Sequence, residues 1–190
     1  MRWVLRLLLL FAVSLSPTAM AAQTPPSTKR IAISFDDIPR GLGPWLSADA
    51  RTRQLIAGLK RAKVKQAAIF VTPGNLLDKD GKGGEKRINA YVRAGHVIAN
   101  HSFTHPQLTD LSAAAYLNDI DRADRWLKDR AGFRRWFRYP YLNEGRSDKV
   151  KRDAVRAGLI QRGYRNGYVT AESSDWYLEA LTTDAVKAGK

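Results

Sequence analysis

Short apolar runs alternate along this chain with longer stretches in which apolar residues return every three or four positions. RIAISF (30–35), QAAIFVT (66–72), HVIAN (96–100), RRWFRYP (134–140) and NGYVT (166–170) have the length and the β-branched and aromatic content of strands. Leu55, Ile56, Leu59 and Ala62 share one face of a helix predicted over about residues 48–63, and Ser47 is placed to cap it. A second helix is predicted from about Lys86 to Ala94, stopping at Gly95. Tyr116, Ile120, Ala123 and Leu127, at spacings of 4, 3 and 4, predict a third over residues 113–130. Ser147 is placed to cap a fourth that runs through about Gln161, and the segment after Trp176 reads as helical. The loop carrying Pro39, Gly41, Gly43 and Pro44 and the glycine-rich DKDGKGGEKR (78–87) separate these elements.

Strand and helix alternate, which predicts an α/β fold with parallel strands joined by crossover helices. Such folds bind ligands at the carboxyl ends of their strands. Polar residues fall there repeatedly: Asp36 and Asp37 after the first strand, His101 after the third, Arg138 at the end of the fourth and Asp175 just past the fifth.

The chain has 190 residues, 44% hydrophobic and 26% charged, enough for one domain with a core and unlike a disordered sequence. Its first 21 residues stand apart. Arg2 and Arg6, the apolar run Leu7–Val13 and Ala19-Met20-Ala21 have the layout of a secretory signal peptide, which predicts export to the periplasm or beyond. The apolar run is too short to span a bilayer comfortably, so no membrane insertion is expected after cleavage. Residues 22–29 read as a flexible leader and 30–190 as the folded domain. The absence of cysteine excludes disulfides, thiolate metal sites and an N-terminal lipid anchor. The net charge is +14, with many cations between Arg122 and Arg165. A basic face suits nucleic acid, an anionic polymer or plain solvation; export argues against nucleic acid.

Two of the three histidines, His101 and His105, lie four residues apart in HSFTH. Two imidazoles at that spacing can converge on one ion, and Pro106 disfavours helix at His105, so the turn must be short. Without cysteine a third ligand must be a carboxylate, and histidine with carboxylate is the ligand set of catalytic zinc. Two surface or core histidines would also explain the spacing. His96 has no partner and reads as structural. SFDDIP offers two neighbouring carboxylates that leave a strand on opposite sides, so that one could bind the ion while the other acts as a base. The same pair would also serve as a turn or cap. Arg138 in FRYPY could clamp a carboxylate or, beside Arg134 and Arg135, be a surface cation. Tyr141 follows Pro140 with its backbone N–H free for an acceptor. Asp175-Trp176 in SSDWY pairs a carboxylate with a large apolar wall, or is a core tryptophan beside a loop aspartate.

Taken in order, SFDDIP, HSFTH, RYPY and SSDW resemble four of the five motifs of the polysaccharide deacetylases of carbohydrate esterase family 4, the NodB homology domain. The resemblance covers residues 34–176. It implies an irregular (β/α) barrel, a divalent metal that is usually zinc, and hydrolysis of N-acetyl or sometimes O-acetyl groups on an acetylated polysaccharide or cell-wall glycan. It also implies roles. Asp36 would be the base, Asp37, His101 and His105 the metal ligands, and Arg138 the residue that orients the base. The Tyr141 N–H would form part of an oxyanion site, Asp175 would tune a catalytic acid and Trp176 would wall the acetyl pocket. Ile38 stands where the family usually has glycine, and Glu172 where it often has aspartate. The fifth motif's histidine, which protonates the leaving group, has no counterpart, because no histidine follows His105. The resemblance therefore predicts a barrel incomplete at its C-terminal side. A non-catalytic glycan-binding member and a small-amide hydrolase of the same superfamily are the other functions this sequence suits.

Overall fold

The computed structural model describes residues 29–189. The predicted signal peptide, and the leader as far as residue 28, lie outside the described residues. Ala32–Lys190 form one compact unit. Its elements are β1 (Ser34–Ile38), α1 (Ala48–Arg61), β2 (Ala68–Val71), α2 (Gly84–Arg93), β3 (Val97–Asn100), α3 (Ala113–Leu127), β4 (Phe133–Phe137), α4 (Lys149–Gln161), β5 (Arg165–Asn166) and α5 (Asp175–Lys187). None of the described helices is long and apolar enough to cross a membrane.

The five strands form one sheet in the order β1-β2-β3-β4-β5, and every neighbouring pair is parallel. Each crossover advances in the same direction, which is how a (β/α) barrel wall is wound. In a flat sheet β1 and β4 would stand three strand spacings apart, about 14 Å. Instead Arg138, the residue after β4, reaches Ser34 Oγ and Asp36 Oδ1 of β1 at 2.7 and 2.8 Å. Its guanidinium crosses the ring of Phe70 on β2, 4.1 Å from the ring centroid. The sheet therefore curls toward a barrel, the α/β form the sequence implied.

Core residues come from the stripes that the periodicity picked out. Tyr116, Ile120, Ala123 and Leu127 are all fully buried, so α3 is held by one continuous apolar face. Leu59 of α1 is buried, and Leu55 and Ile56 pack at the edge of the core cluster that includes Ile69, Val71 and Ile88. Ser47 caps α1 by accepting the Ala50 N–H at 3.2 Å. His96 is structural: its Nδ1 accepts the buried Ala67 N–H at 3.2 Å, tying the entrance of β3 to that of β2.

Several predicted boundaries differ, three of them for a reason visible in the structure. β1 begins at Ser34 because its partner strand β2 starts opposite at Ala68, and it extends to Ile38, so both aspartates lie within it rather than after it. The cap of α4 is Asp148, whose carboxylate accepts the Lys151 N–H at 2.9 Å, one residue beyond Ser147. β5 is two residues long and ends before Gly167, ahead of most of NGYVT. There the Gly167 backbone lies so close to Phe70 that an added Cβ would meet Cζ at 2.6 Å, and the chain leaves the sheet.

Candidate active site

β1 pairs irregularly with β2 between Phe35 and Ile38, and Asp37 adopts a left-handed backbone with φ 63°. That irregularity separates two neighbouring carboxylates into different surroundings. Asn75 supports it by donating from Nδ2 to the carbonyls of Asp37 and Pro39, both at 3.3 Å.

His101 leaves β3 fully buried, with its N–H donated to Val71 O at 3.0 Å. Its Nδ1 lies 2.9 Å from the carbonyl of Arg138. A carbonyl only accepts, so Nδ1 carries the proton and Nε2 presents its lone pair. His105 does not follow on a helix. Ser102 and His105 both have positive φ, 67° and 57°, and turn the chain sharply. The Ser102 N–H donates to Asn100 Oδ1 at 2.8 Å, and the His105 N–H to Ser102 Oγ at 3.1 Å. Asp119 of α3 accepts the N–H groups of Phe103 and Thr104 at 2.8 and 3.0 Å. A turn braced by three polar side chains, rather than a shared helical face, thus brings the imidazoles together.

The two Nε2 atoms are 3.3 Å apart, and Asp37 Oδ1 lies 2.9 Å from that of His105 and 3.3 Å from that of His101. One ligand atom from each residue lies within 4.8 Å of the others. Asp37 Oδ1 is buried and no donor completes a hydrogen bond to it among the described residues. Burial alone would raise the Asp37 carboxyl; the adjacent His101 and His105 imidazoles overrule it and hold the group well below the usual carboxylate range. Two imidazole nitrogens and a carboxylate oxygen facing one another, with too few protons to satisfy them, are a donor set that fits a divalent cation.

Asp36 sits beside this cluster. Its Oδ1 accepts from Arg138 Nη1 at 2.8 Å, and its Oδ2 stands 4.0 Å from His101 Nε2. Arg138 is held at three further points: Nη1 donates to Ser34 Oγ at 2.7 Å, Nε donates to Gly167 O at 2.8 Å, and the guanidinium covers Phe70. Ser34, Phe70, Asn75, Asn100, Ser102, Asp119 and Gly167 are positioning residues that sequence reasoning missed. Only Gly167 carried a signal, since glycine inside a strand pattern marks a close backbone approach.

Tyr141 has φ 56°, and its ring centroid lies 4.6 Å from that of His105. Its N–H meets no acceptor among the described residues. Asp37, His105, Tyr141 and Trp176 line one cavity of about 850 Å³. α5 supplies its far wall, tied by Glu179 to Arg40 at 3.3 Å and Arg51 at 3.8 Å. Asp175 is not brought to the cluster. It opens α5 exposed to solvent, outside the cavity that Trp176 lines.

Residues 23–161 match the sequence profile of the polysaccharide deacetylase family. The chain is similar to the peptidoglycan-N-acetylglucosamine deacetylase of Listeria monocytogenes, 30% identical over 166 residues that make up 86% of this chain and 30% of that one. It is 27% identical to the chitin deacetylase of Colletotrichum lindemuthianum over 114 residues, 60% of this chain and 42% of that one. It therefore spans less than half the length of either relative. A solved family 4 carbohydrate esterase from Streptomyces lividans, in complex with acetate, superposes with a TM-score of 0.58 at 26% identity, covering 77% of this chain and 66% of that one. With most of its length matched to that profile, and strands wound in the same way, the chain belongs to the polysaccharide deacetylase family.

Proposed function

We propose that this chain is an exported, metal-dependent hydrolase that removes acetyl groups from N-acetylated sugars of a polysaccharide. The observation that carries the reading is the Asp37–His101–His105 cluster with the arginine-anchored Asp36 carboxylate beside it. The named relatives act on peptidoglycan and chitin, both acetylated glycans, which supports the substrate class.

Asp37, His101 and His105 would hold the divalent ion, zinc by donor type. When bound, that ion supplies Lewis acidity to a water and to the acetyl carbonyl. Arg138 occupies Asp36 Oδ1 and so turns Oδ2 toward the cluster, where it can accept the proton of the attacking water. The unpartnered Tyr141 N–H, beside His105, is available to the oxygen that gains negative charge. Trp176 lines the same cavity and would offer the acetyl group an apolar face. Residues 1–21 direct export, in keeping with a glycan substrate outside the cytoplasm.

The test is zinc content together with acetate release from an N-acetylated chito-oligosaccharide. One zinc per chain is expected, with release above the zinc-only background that stops on chelation. No release from zinc-loaded protein would overturn the hydrolase reading in favour of glycan binding without turnover.

A further inference from the structure

Tyr141 lines a second groove of about 620 Å³, whose walls include Gln107, Arg146, Arg152 and Tyr168. Gln107 follows His105 by two residues, so this groove adjoins the metal-binding cluster. Tyr141 and Tyr168 are 64% and 73% exposed there, two large rings left in water without apolar cover. Flat exposed aromatic faces beside a few polar groups are what a sugar ring stacks upon.

The groove is also selectively charged. Glu144 is the one carboxylate among its lining residues, and Arg156 neutralises it with Nε at 3.0 Å and Nη2 at 2.6 Å. Arg146 and Arg152 are not compensated in this way. Arg146 makes no side-chain hydrogen bond or ion pair among the described residues, and its φ of 48° places it on a tight turn. Arg152 Nη1 donates to the carbonyl of Arg146 at 2.9 Å, which fixes the two relative to each other. The carboxylate nearest Arg152 is Asp153 at 4.0 Å, itself paired with Lys149. Two guanidinium groups with donors to spare, next to two stacking rings, match a sugar that bears a carboxylate.

We propose that this groove is a subsite for a carboxylate-bearing sugar adjacent to the acetylated sugar held at Asp37, His101 and His105. The proposal rests on the deacetylase reading for the polysaccharide itself and adds that the polymer is anionic. Tyr141 and Tyr168 take the ring, and Arg146 and Arg152 take the carboxylate.

The experiment compares calorimetric binding of a tetrasaccharide alternating N-acetylglucosamine with glucuronate against the same tetrasaccharide with its carboxylates reduced to alcohols. The carboxylated form is expected to bind about 5- to 10-fold more tightly at low salt, and the ratio should shrink as salt rises. Arg146→Asn with Arg152→Gln is expected to bring the ratio to about one; asparagine tolerates the positive φ. Arg53→Ala, an exposed cation on α1, is expected to leave the ratio intact. Equal binding of both sugars by the wild type overturns the subsite, as does a preference that survives the double substitution or falls equally with Arg53→Ala. Should the double variant fail to fold, the wild-type salt series decides alone, and a preference unchanged by salt overturns the subsite. Acetate release is followed on both sugars. Preference without release defeats the hydrolase reading and leaves the subsite standing; release without preference does the reverse.

Discussion

Arg138 Nη1 lies 2.8 Å from Asp36 Oδ1 although the two residues are 102 positions apart in the chain. One guanidinium spans Asp36, Ser34 and Gly167 at once, so the orientation of the proposed base depends on three separate segments. Arg138→Lys should therefore behave as a disruptive change, since a single ammonium cannot cover these acceptors in their fixed geometry. Acetate release is expected to fall about 100-fold, the typical cost of misplacing a reacting group by an ångström. Zinc content should hold, because His101 Nδ1 is anchored by the backbone carbonyl of Arg138 and not by its side chain. Zinc loss equal to the activity loss would show that the arginine serves the metal site instead.

The neighbouring aspartates should separate cleanly. Asp36→Asn is expected to keep zinc and lose acetate release by about 10²–10⁴-fold. Asp37→Asn is expected to lose both, since an amide oxygen is a poorer ligand than a carboxylate and Asp37 Oδ1 is the atom shared with both imidazoles. Metal analysis and an acetate assay on the two variants check this, and the reverse pattern would exchange their roles.

Zinc should stabilise the fold through the same three residues. At a free concentration of about 100 times its dissociation constant, a ligand bound only by the folded state adds about 2.7 kcal/mol. Thermal unfolding with zinc and with chelator should show this increment in the wild type. In His105→Ala it should vanish, because too few protein ligands remain. An undiminished zinc shift in that variant would place the ion elsewhere.

Gly167→Ala should destabilise the fold and misplace the base together. The new Cβ would meet Phe70 Cζ at 2.6 Å and Cε1 at 3.0 Å, and Phe70 is buried with nowhere to move. Overpacking of this kind costs about 1–3 kcal/mol, readable as a lower urea midpoint. The carbonyl that receives Arg138 Nε would shift as well. A wild-type midpoint would show that the sheet edge yields freely.

Acid should weaken one peripheral tie in a defined direction. Arg162 grips Asp121 with Nε–Oδ1 at 2.7 Å and Nη2–Oδ2 at 2.8 Å, and that hydrogen bonding holds the Asp121 carboxyl below its usual value. A carboxyl lowered on folding contributes stability above its unfolded pKa, and that contribution fades as pH falls through the folded one. The pair is part-exposed, so its worth is about 0.5–1 kcal/mol. Urea unfolding should find Asp121→Asn weaker by that amount near pH 6 and indistinguishable from wild type once the pH lies well below the lowered folded pKa. A difference that grows on acidification would contradict this.

The long helices were legible because an amphipathic helix advertises its buried face: the stripe from Tyr116 to Leu127 is both the sequence signal and the core contact. The strands were legible as runs but not in their limits. A buried parallel strand of four or five residues has no alternation, and its ends are set by its neighbour, as Ser34 is set by Ala68. At the site, the chemistry-bearing residues could be named but their support could not. The convergence of His101 and His105 depends on Asn100, Ser102 and Asp119, polar residues unremarkable in sequence. Ser34 and Gly167 acquire meaning only when the sheet curls and brings them to Arg138. Asp175 was expected at the rim because it follows the last strand run, yet the first turn of α5 carries it into solvent and directs its neighbour Trp176 to the cavity.

The clamp on Asp36 also sets an order of assembly. Asp37, His101 and His105 all lie between β1 and the turn after β3, so the three ligands meet once three strands have paired and Asp119 of α3 braces the turn, with the Arg138 carbonyl fixing the His101 ring afterwards. Asp36 gains its guanidinium only when β4 has joined and the segment after β5 has folded back to offer the Gly167 carbonyl. Contacts this distant in sequence are slow to form, since loop closure must come before they repay it. During refolding, metal capture should thus precede catalytic competence, and the interval between the two would time the final curling of the sheet.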